Sequence, residues 1–420
     1  MRPSSAAKVI SPIFLAFLLA TAILAASAHA QTFTVLHTFK GAPTDGEAPF
    51  GQLIRDSAGN LYGTTNSGGA GKCTSGCGTA FMLNKAGKEV GLYSFGGKNG
   101  GYPLAGLFRD SAGNFYGTTT GGGANCYGMG YPGCGTVFKL SKTGKETLLY
   151  SFAGTPDGYT HEALLVGGDG SLYGTTLLGG ASGGYGTVFK LDKVGQDTIL
   201  HTFTGPPGGG GDGADPYAGV IRDAAGNLYG VTDAGGAYCC GVVYEIDTTG
   251  TETLLYSFTG FSDGDGPLSV LLLDSAGNLY GTTKAGGNEQ CGGSGCGVVF
   301  ELSPQPGRSW TESVLYVFCS LPNCADGEKP LAGPLVRDAA GNLYGTTFFG
   351  GTADDGVVFK LDGSGKETVL HSFTGGADGG FPWAGLTMDS AGNLYGGATG
   401  GGDFSCFPPS GCGVVFKITP

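Results

Sequence analysis

The tripeptide Leu-Tyr-Gly, with Phe for Leu in one copy, recurs seven times. Its tyrosines are Tyr62, Tyr116, Tyr173, Tyr229, Tyr280, Tyr344 and Tyr395, at successive spacings of 54, 57, 56, 51, 64 and 51 residues. A fixed period of this length marks a repeat architecture, which must be settled before any local reading. Each repeat divides into four strand-like runs. In the second copy these are Leu104 to Asp110, Asn114 to Thr119, Gly135 to Leu140 and Glu146 to Phe152. Gly, Asn and Asp stand at the joints, where positive φ or a local side-chain hydrogen bond is needed.

Four antiparallel strands per ~50 residues is the pattern of a propeller blade, and seven lies within the usual range of blade numbers. A solenoid of the same units would need atypical capping repeats. Here the ends complement one another: Phe33 to Phe39 (FTVLHTF) matches a fourth run such as Glu367 to Phe373 (ETVLHSF), and Val414 to Ile418 matches a third. The predicted fold is therefore all-β, a seven-bladed β-propeller with four antiparallel strands per blade, its ring closed by the N-terminal strand completing the last blade. The 86 glycines, 25 Phe and 19 Tyr against 13% charged residues suit short aromatic strands joined by tight turns.

Residues 1–30 carry a basic start (Arg2, Lys8), an apolar run from Val9 to Ala26 and the ending Ala28-His29-Ala30, the pattern of a secretory signal peptide with cleavage expected before Gln31. Pro12 interrupts the run, which argues against a membrane anchor. Residues 31–420 are expected to form one domain, secreted or periplasmic, monomeric, and not inserted in a membrane after cleavage. Loss of Arg2 and Lys8 takes the net charge from −12 to −14. Such a surface repels phosphate backbones, so nucleic acid is not an expected partner.

The units DSAGNLYGTT, GTVFKL and ETVLHSF, with the variant Trp310-Thr311-Glu312, resemble the GloVer tandem-repeat ("choice-of-anchor") family of exported bacterial proteins over residues 33 to 418. The resemblance implies export and a repeat scaffold, and no activity. The shorter Gly-Asn-Leu-Tyr turn also resembles NHL and gluconolactonase-like propellers and transfers no catalytic residue.

Twelve cysteines fall in six pairs: Cys73/Cys77, Cys126/Cys134, Cys239/Cys240, Cys291/Cys296, Cys319/Cys324 and Cys406/Cys412. An even count in an exported chain favours disulfides. In five blades the second cysteine directly precedes the glycine that starts the third strand. The two blades with Tyr185 and Asp355 at that place lack the partner cysteine too, as local bridges require. Tetrahedral zinc would need two pairs brought together, yet these sit in different blades and no histidine accompanies them, so no metal is expected.

Loops of variable length and all the cysteines collect on one face, where binding usually resides. The same face carries a repeated link aspartate (Asp45, Asp157, Asp212, Asp265, Asp326, Asp378; Asn99 in the remaining copy), expected to cap a turn. His37, His201 and His371 occupy a slot that tyrosine fills elsewhere and are read as sheet residues. Ahead of the first strand, Tyr102, His161, Glu162, Asp215, Tyr217, Lys329, Phe381 and Trp383 are expected around the funnel mouth as a ligand site. Aromatic faces among convergent polar groups suit a small molecule, a glycan or a protein partner.

The leading expectation is an exported, non-catalytic binding or interaction propeller without a cofactor, since no nucleophile elbow, zincin helix or phosphate-cradling motif is present. The alternative is a hydrolase or lyase acting on a sugar, lactone or cell-wall fragment, with His161 as general base and Glu162 or Asp215 as acid or orienting group.

Overall fold

The Leu-Tyr-Gly motif explains the blade. Its tyrosine hydroxyl donates to the aspartate six residues earlier, which also accepts from the backbone and side chain of the intervening asparagine, as in Asp56, Asn60 and Tyr62. The arrangement recurs at Asp110, Asp223, Asp274, Asp338 and Asp389. The arginine ahead of the aspartate lies over the previous blade's tyrosine: Arg55 over Tyr395, Arg109 over Tyr62, Arg222 over Tyr173 and Arg337 over Tyr280. The motif's glycine leaves room for a third-strand phenylalanine. A Cβ at Gly63, Gly117, Gly281, Gly345 or Gly396 would lie 2.5 to 2.7 Å from that ring.

The computed structural model describes residues 31–420 except 124–126, 129–130, 155–156, 161–164, 167–169, 181–183, 206–209, 332, 407 and 420. Gln31–Pro420 is one compact unit. Its strands form seven antiparallel blades in a ring, the seven-bladed propeller expected from the repeat. In blade two the order is Phe108–Arg109, Phe115–Thr119, Thr136–Leu140 and Glu146–Ser151. In blade seven the outer strand is Thr32–Thr38, paired with Val414–Thr419. The ends of the array therefore complete one sheet.

The inner strands are shorter than the sequence suggests. Only Phe108 and Arg109 of the Leu104 to Asp110 run make regular ladder pairs. Upstream, a left-handed residue followed by proline breaks the ladder, because proline has no N–H to donate. There the adjacent blades' inner segments nearly touch: a Cβ at Gly51 would lie 2.5 Å from the Ala105 carbonyl oxygen.

Two devices join the blades. Each outer strand carries one extra residue, always leucine (Leu36, Leu92, Leu149, Leu200, Leu255, Leu315, Leu370), where the register slips against the third strand. Such bulges bend the strand and increase its twist. The phenylalanine ending each outer strand then meets a third-strand ring of the next blade edge to face, at 5.0 to 5.3 Å in all seven junctions.

Blade four departs at this junction by using Tyr244, whose hydroxyl is buried without a hydrogen-bond partner. Burial holds its pKa well above the usual phenol value. Replacing Tyr244 by Phe restores the residue of the other blades and removes the unsatisfied hydroxyl, so it should stabilise by about 1 kcal/mol. An upward shift in thermal melting checks this; an unchanged or lower Tm refutes it.

Five of the six expected disulfides are formed: Cys73–Cys77, Cys239–Cys240, Cys291–Cys296, Cys319–Cys324 and Cys406–Cys412. Cys134 is also bonded, and Cys126 lies outside the described residues.

Candidate functional site

The link between blades enters on the loop face. Gly46–Glu47 pairs with Ser67–Gly68, Glu328 bridges to Phe349 and Gly380 to Gly400, so links and second-to-third-strand loops lie together as expected. Link aspartates cap these turns. Asp45 accepts from the backbone of Lys40 and Gly46, and Asp326 from Ser320 and Leu321. In blade five the capping residue is Asp263, not the expected Asp265: Asp263 accepts from Thr259 and the Tyr256 hydroxyl. Blade five has two consecutive Asp-Gly pairs, and only the first stands four residues before the proline, as Asp45, Asp212, Asp326 and Asp378 do.

Ahead of each proline stands one residue held by two backbone hydrogen bonds. Its N–H donates to the preceding blade: Ala48 to Cys412, Tyr102 to Cys77, Asp215 to Tyr185, Gly266 to Cys240, Lys329 to Cys296 and Phe381 to Asp355. Its carbonyl accepts from the residue after its own second strand, as in Asn66 to Ala48 and Asp233 to Asp215. The register shared by the cysteines, Tyr185 and Asp355 thus has a physical meaning. Among the described residues Cys77, Cys240, Cys296, Cys412, Tyr185 and Asp355 each supply the carbonyl that seats the next blade's rim residue, and the disulfides tie that strap down.

These rim residues are left-handed. Ala48, Tyr102, Asp215, Lys329 and Phe381 have φ between 54° and 59°, and Gly266 has φ 64°. The region suits glycine, and a side chain there costs on the order of 1 kcal/mol or more. Five blades nevertheless carry one.

Four of the eight anticipated residues, Tyr102, Asp215, Lys329 and Phe381, occupy this ring half-buried; Tyr217 and Trp383 are half-buried two positions on. His161 and Glu162 lie outside the described residues. The fifth residue after the Leu that opens the Leu-Tyr-Gly motif completes the rim and was not singled out from the sequence. In blades four, five and six it is Asp233, Lys284 and Phe348. The variability of that position across the repeats is the signal that would have found it.

The rim has two sectors. In one, Phe348 lies 5.3 Å from Phe381 and 5.5 Å from Trp383, Trp383 lies 5.5 Å from Phe50, and Phe349 lies 5.9 Å from Phe381. All five rings are half-buried and stem from blades six, seven and one. At their border Lys329 pairs with Glu328 at 3.3 Å and lies 5.6 Å from the centre of the Phe349 ring.

In the other sector Lys284 donates to both oxygens of Asp233, at 2.5 and 2.7 Å. This pair crosses Gly266, where a Cβ would lie 2.5 Å from the Lys284 side chain and 2.6 Å from Asp233. Blade five therefore has glycine at the rim. Burial first, and then the Asp233 charge, raise the Asp215 pKa against the opposing pull of Lys284. Asp265 is raised likewise by burial. The sector offers hydrogen-bonding oxygens beside one cation.

A family model, the Gloeobacter/Verrucomicrobia repeat, matches residues 21–183, 160–318 and 290–420. The chain belongs to the Gloeobacter/Verrucomicrobia repeat family. No curated protein is similar to it by sequence. Among solved structures, two of the extracellular domain of BT4673 from B. thetaiotaomicron overlay with TM-scores of 0.53 and 0.54, at 12% and 14% identity. These cover 91% and 92% of this chain but 40% and 39% of those chains, and at such identity they show the fold alone. A gluconolactonase, XC5397 from Xanthomonas campestris, overlays at TM-score 0.40 and 15% identity, covering 68% of this chain and 78% of its own. That overlap is too low to carry an argument. The Gloeobacter/Verrucomicrobia repeat accounts for the scaffold, on which the rim side chains vary from blade to blade. No helix among the described residues is long and apolar enough to cross a membrane.

Proposed function

We propose that this repeat protein is an exported binding propeller whose rim holds a neutral saccharide and does not turn it over. The observation that carries the reading is the five-ring aromatic cluster around Trp383 and Phe348, left half-exposed on a strained rim that also carries a sector of carboxylates. Aromatic faces take the C–H faces of a sugar ring, while Asp215, Asp233 and Lys284 suit its hydroxyls. The acidic chain disfavours an anionic ligand. Side chains kept in left-handed positions where glycine would be easier fit a functional role. Export is supported by the leader pattern of residues 1–30 and by the disulfides.

Neutral oligosaccharides (glucan, xylan and chitin fragments) titrated calorimetrically into the oxidised protein should bind. Trp383→Ala should weaken that binding at least tenfold, about 1.4 kcal/mol, with the melt unchanged within a few degrees. If no neutral saccharide binds, or Trp383→Ala binds as tightly as the wild type, the reading fails. Product appearing in the same incubations would instead favour the hydrolase alternative built on His161, Glu162 and Asp215.

A further inference from the structure

A second set of polar groups repeats at the outer edge of the blade junctions. At six of the seven junctions the aromatic residue of one outer strand stands by a link aspartate, with a residue from the start of the next blade's outer strand close by; the Tyr93 junction has Asn99 in the aspartate's place. In the tyrosine version the hydroxyl donates to the acid, as Tyr256 does to Asp263 at 2.9 Å, with Glu312 beside them. A phenol that keeps its proton is no metal ligand. Three junctions have histidine instead. Of these, His371 bonds Asp378 but meets the Phe33 ring, stacked at 3.7 Å, so its third place is apolar.

The two remaining histidine junctions are complete. His37, Asp45 and Glu89 form one group and His201, Asp212 and Glu252 the other, the ligand atoms of each within 4.8 Å of one another. We propose that each of these two junctions binds one divalent transition-metal ion, of the zinc or cobalt type, through one imidazole and two carboxylates.

The donor set is borderline in hardness and suits such ions. A tetrahedral ion with bonds of about 2.0 to 2.1 Å places its ligands about 3.4 Å apart. The histidine Nε2 to aspartate Oδ2 distances are 3.3 Å for His37 and 3.0 Å for His201. The second aspartate oxygen is oriented from behind: Asp212 Oδ1 accepts from the Thr204 N–H and hydroxyl, the outer support that ligating carboxylates need. His37 Nε2 is buried with no hydrogen-bond partner. Two carboxylates and an imidazole at one half-buried place also carry uncompensated negative charge, which a dication neutralises. The imidazole and carboxylates must be deprotonated to hold the ion, so binding weakens as pH falls.

The test is zinc binding to the full chain, expressed with its own leader and with disulfides intact, measured by calorimetry with Zn²⁺ alone; Co²⁺ absorption reports the coordination. Two ions per chain are expected. His37→Tyr and His201→Tyr should each remove one and the double variant both, while His371→Tyr leaves two. Tyrosine is what the other four junctions already carry, so these variants keep a residue the scaffold accepts, and melting confirms folding. Zero bound ions, or a stoichiometry unchanged by His37→Tyr and His201→Tyr, overturns the proposal. A loss caused by His371→Tyr overturns it as well.

Discussion

Removal of residues 31–39 should abolish cooperative unfolding altogether. This segment is the outer strand of blade seven, paired with the last strand from Thr32↔Thr419 to Thr38↔Val414. Without it, Val415, Phe416 and Ile418, now fully buried, face solvent along an unpaired edge. The edge-to-face contact of Phe39 on Phe81, which joins blade seven to blade one, is lost too, and with it the bond from the Phe39 N–H to Gly413 that extends the blade-seven ladder. Burial of Phe39 alone is worth roughly 1.5–3 kcal/mol, and the half-buried Phe33 and Val35 add to it, a loss that is a large fraction of the stability of a typical domain. An open edge in an array of stacked sheets is also a template for aggregation. The truncated chain should bind a hydrophobic dye and show no sharp melt.

A stricter version keeps the composition constant. Thr32 and Thr419 are direct partners, so the deleted segment can be reattached after Thr419 through a two-residue Asn-Gly turn. That permuted chain should regain a melt close to the wild type. A truncated chain that melts within a few degrees of wild type would show that the ring does not depend on its closing strand.

The parts of the fold legible in the sequence are those written seven times. Blade number, strand order and ring closure follow from the Leu-Tyr-Gly spacing and from the match of FTVLHTF to ETVLHSF, because a short-range pattern repeated this often leaves few alternatives. The disulfide pairs were legible for the same reason. What escaped depends on contacts between blades. The extent of the inner strand was overestimated, since hydropathy does not show that a left-handed residue precedes each proline. Asp265 was taken for Asp263 because two Asp-Gly pairs are locally identical and differ only in their distance from Pro267.

At the rim, Tyr102, Asp215, Lys329 and Phe381 could be placed by counting from the proline. Phe348 and Lys284 show in the sequence only as a position that varies from repeat to repeat; their contacts do not, because their partners Trp383 and Asp233 lie in neighbouring blades, dozens of residues away. His37 and His201 were read as sheet residues, which they are; the glutamates that complete their groups come from the next blade.

The same blade-crossing acids make stability depend on pH with an unusual sign. Burial first, and then the Asp263 charge, push the Glu312 carboxyl up to about 7. Burial and Asp326 do the same to Glu367, also to about 7. Burial and Asp157 take Asp197 to about 6, against a backbone hydrogen bond from Thr198. In the unfolded chain these groups titrate near 4. Between about pH 4 and 7 the folded state therefore binds more protons than the unfolded, and stability falls as pH rises through that window. Below it the hairpin aspartates act oppositely. Burial alone would raise Asp56 and Asp389, but hydrogen bonds from the neighbouring asparagine, tyrosine and backbone outweigh it and hold both below the usual value, so their contribution is lost as pH drops under about 4. Melting temperature measured in the presence of a chelator should peak near pH 4.5 to 5, fall towards pH 8 and level off. Half-buried groups are partly screened, so each raised acid accounts for on the order of 1 kcal/mol across the window. The double variant Glu312→Gln, Glu367→Gln mimics the protonated acids. It should match the wild type at pH 4.5, exceed it at pH 8 and flatten the slope between; a wild-type Tm that rises from pH 5 to 8, or a variant with the wild-type slope, would show that these junction acids ionise freely in the folded ring.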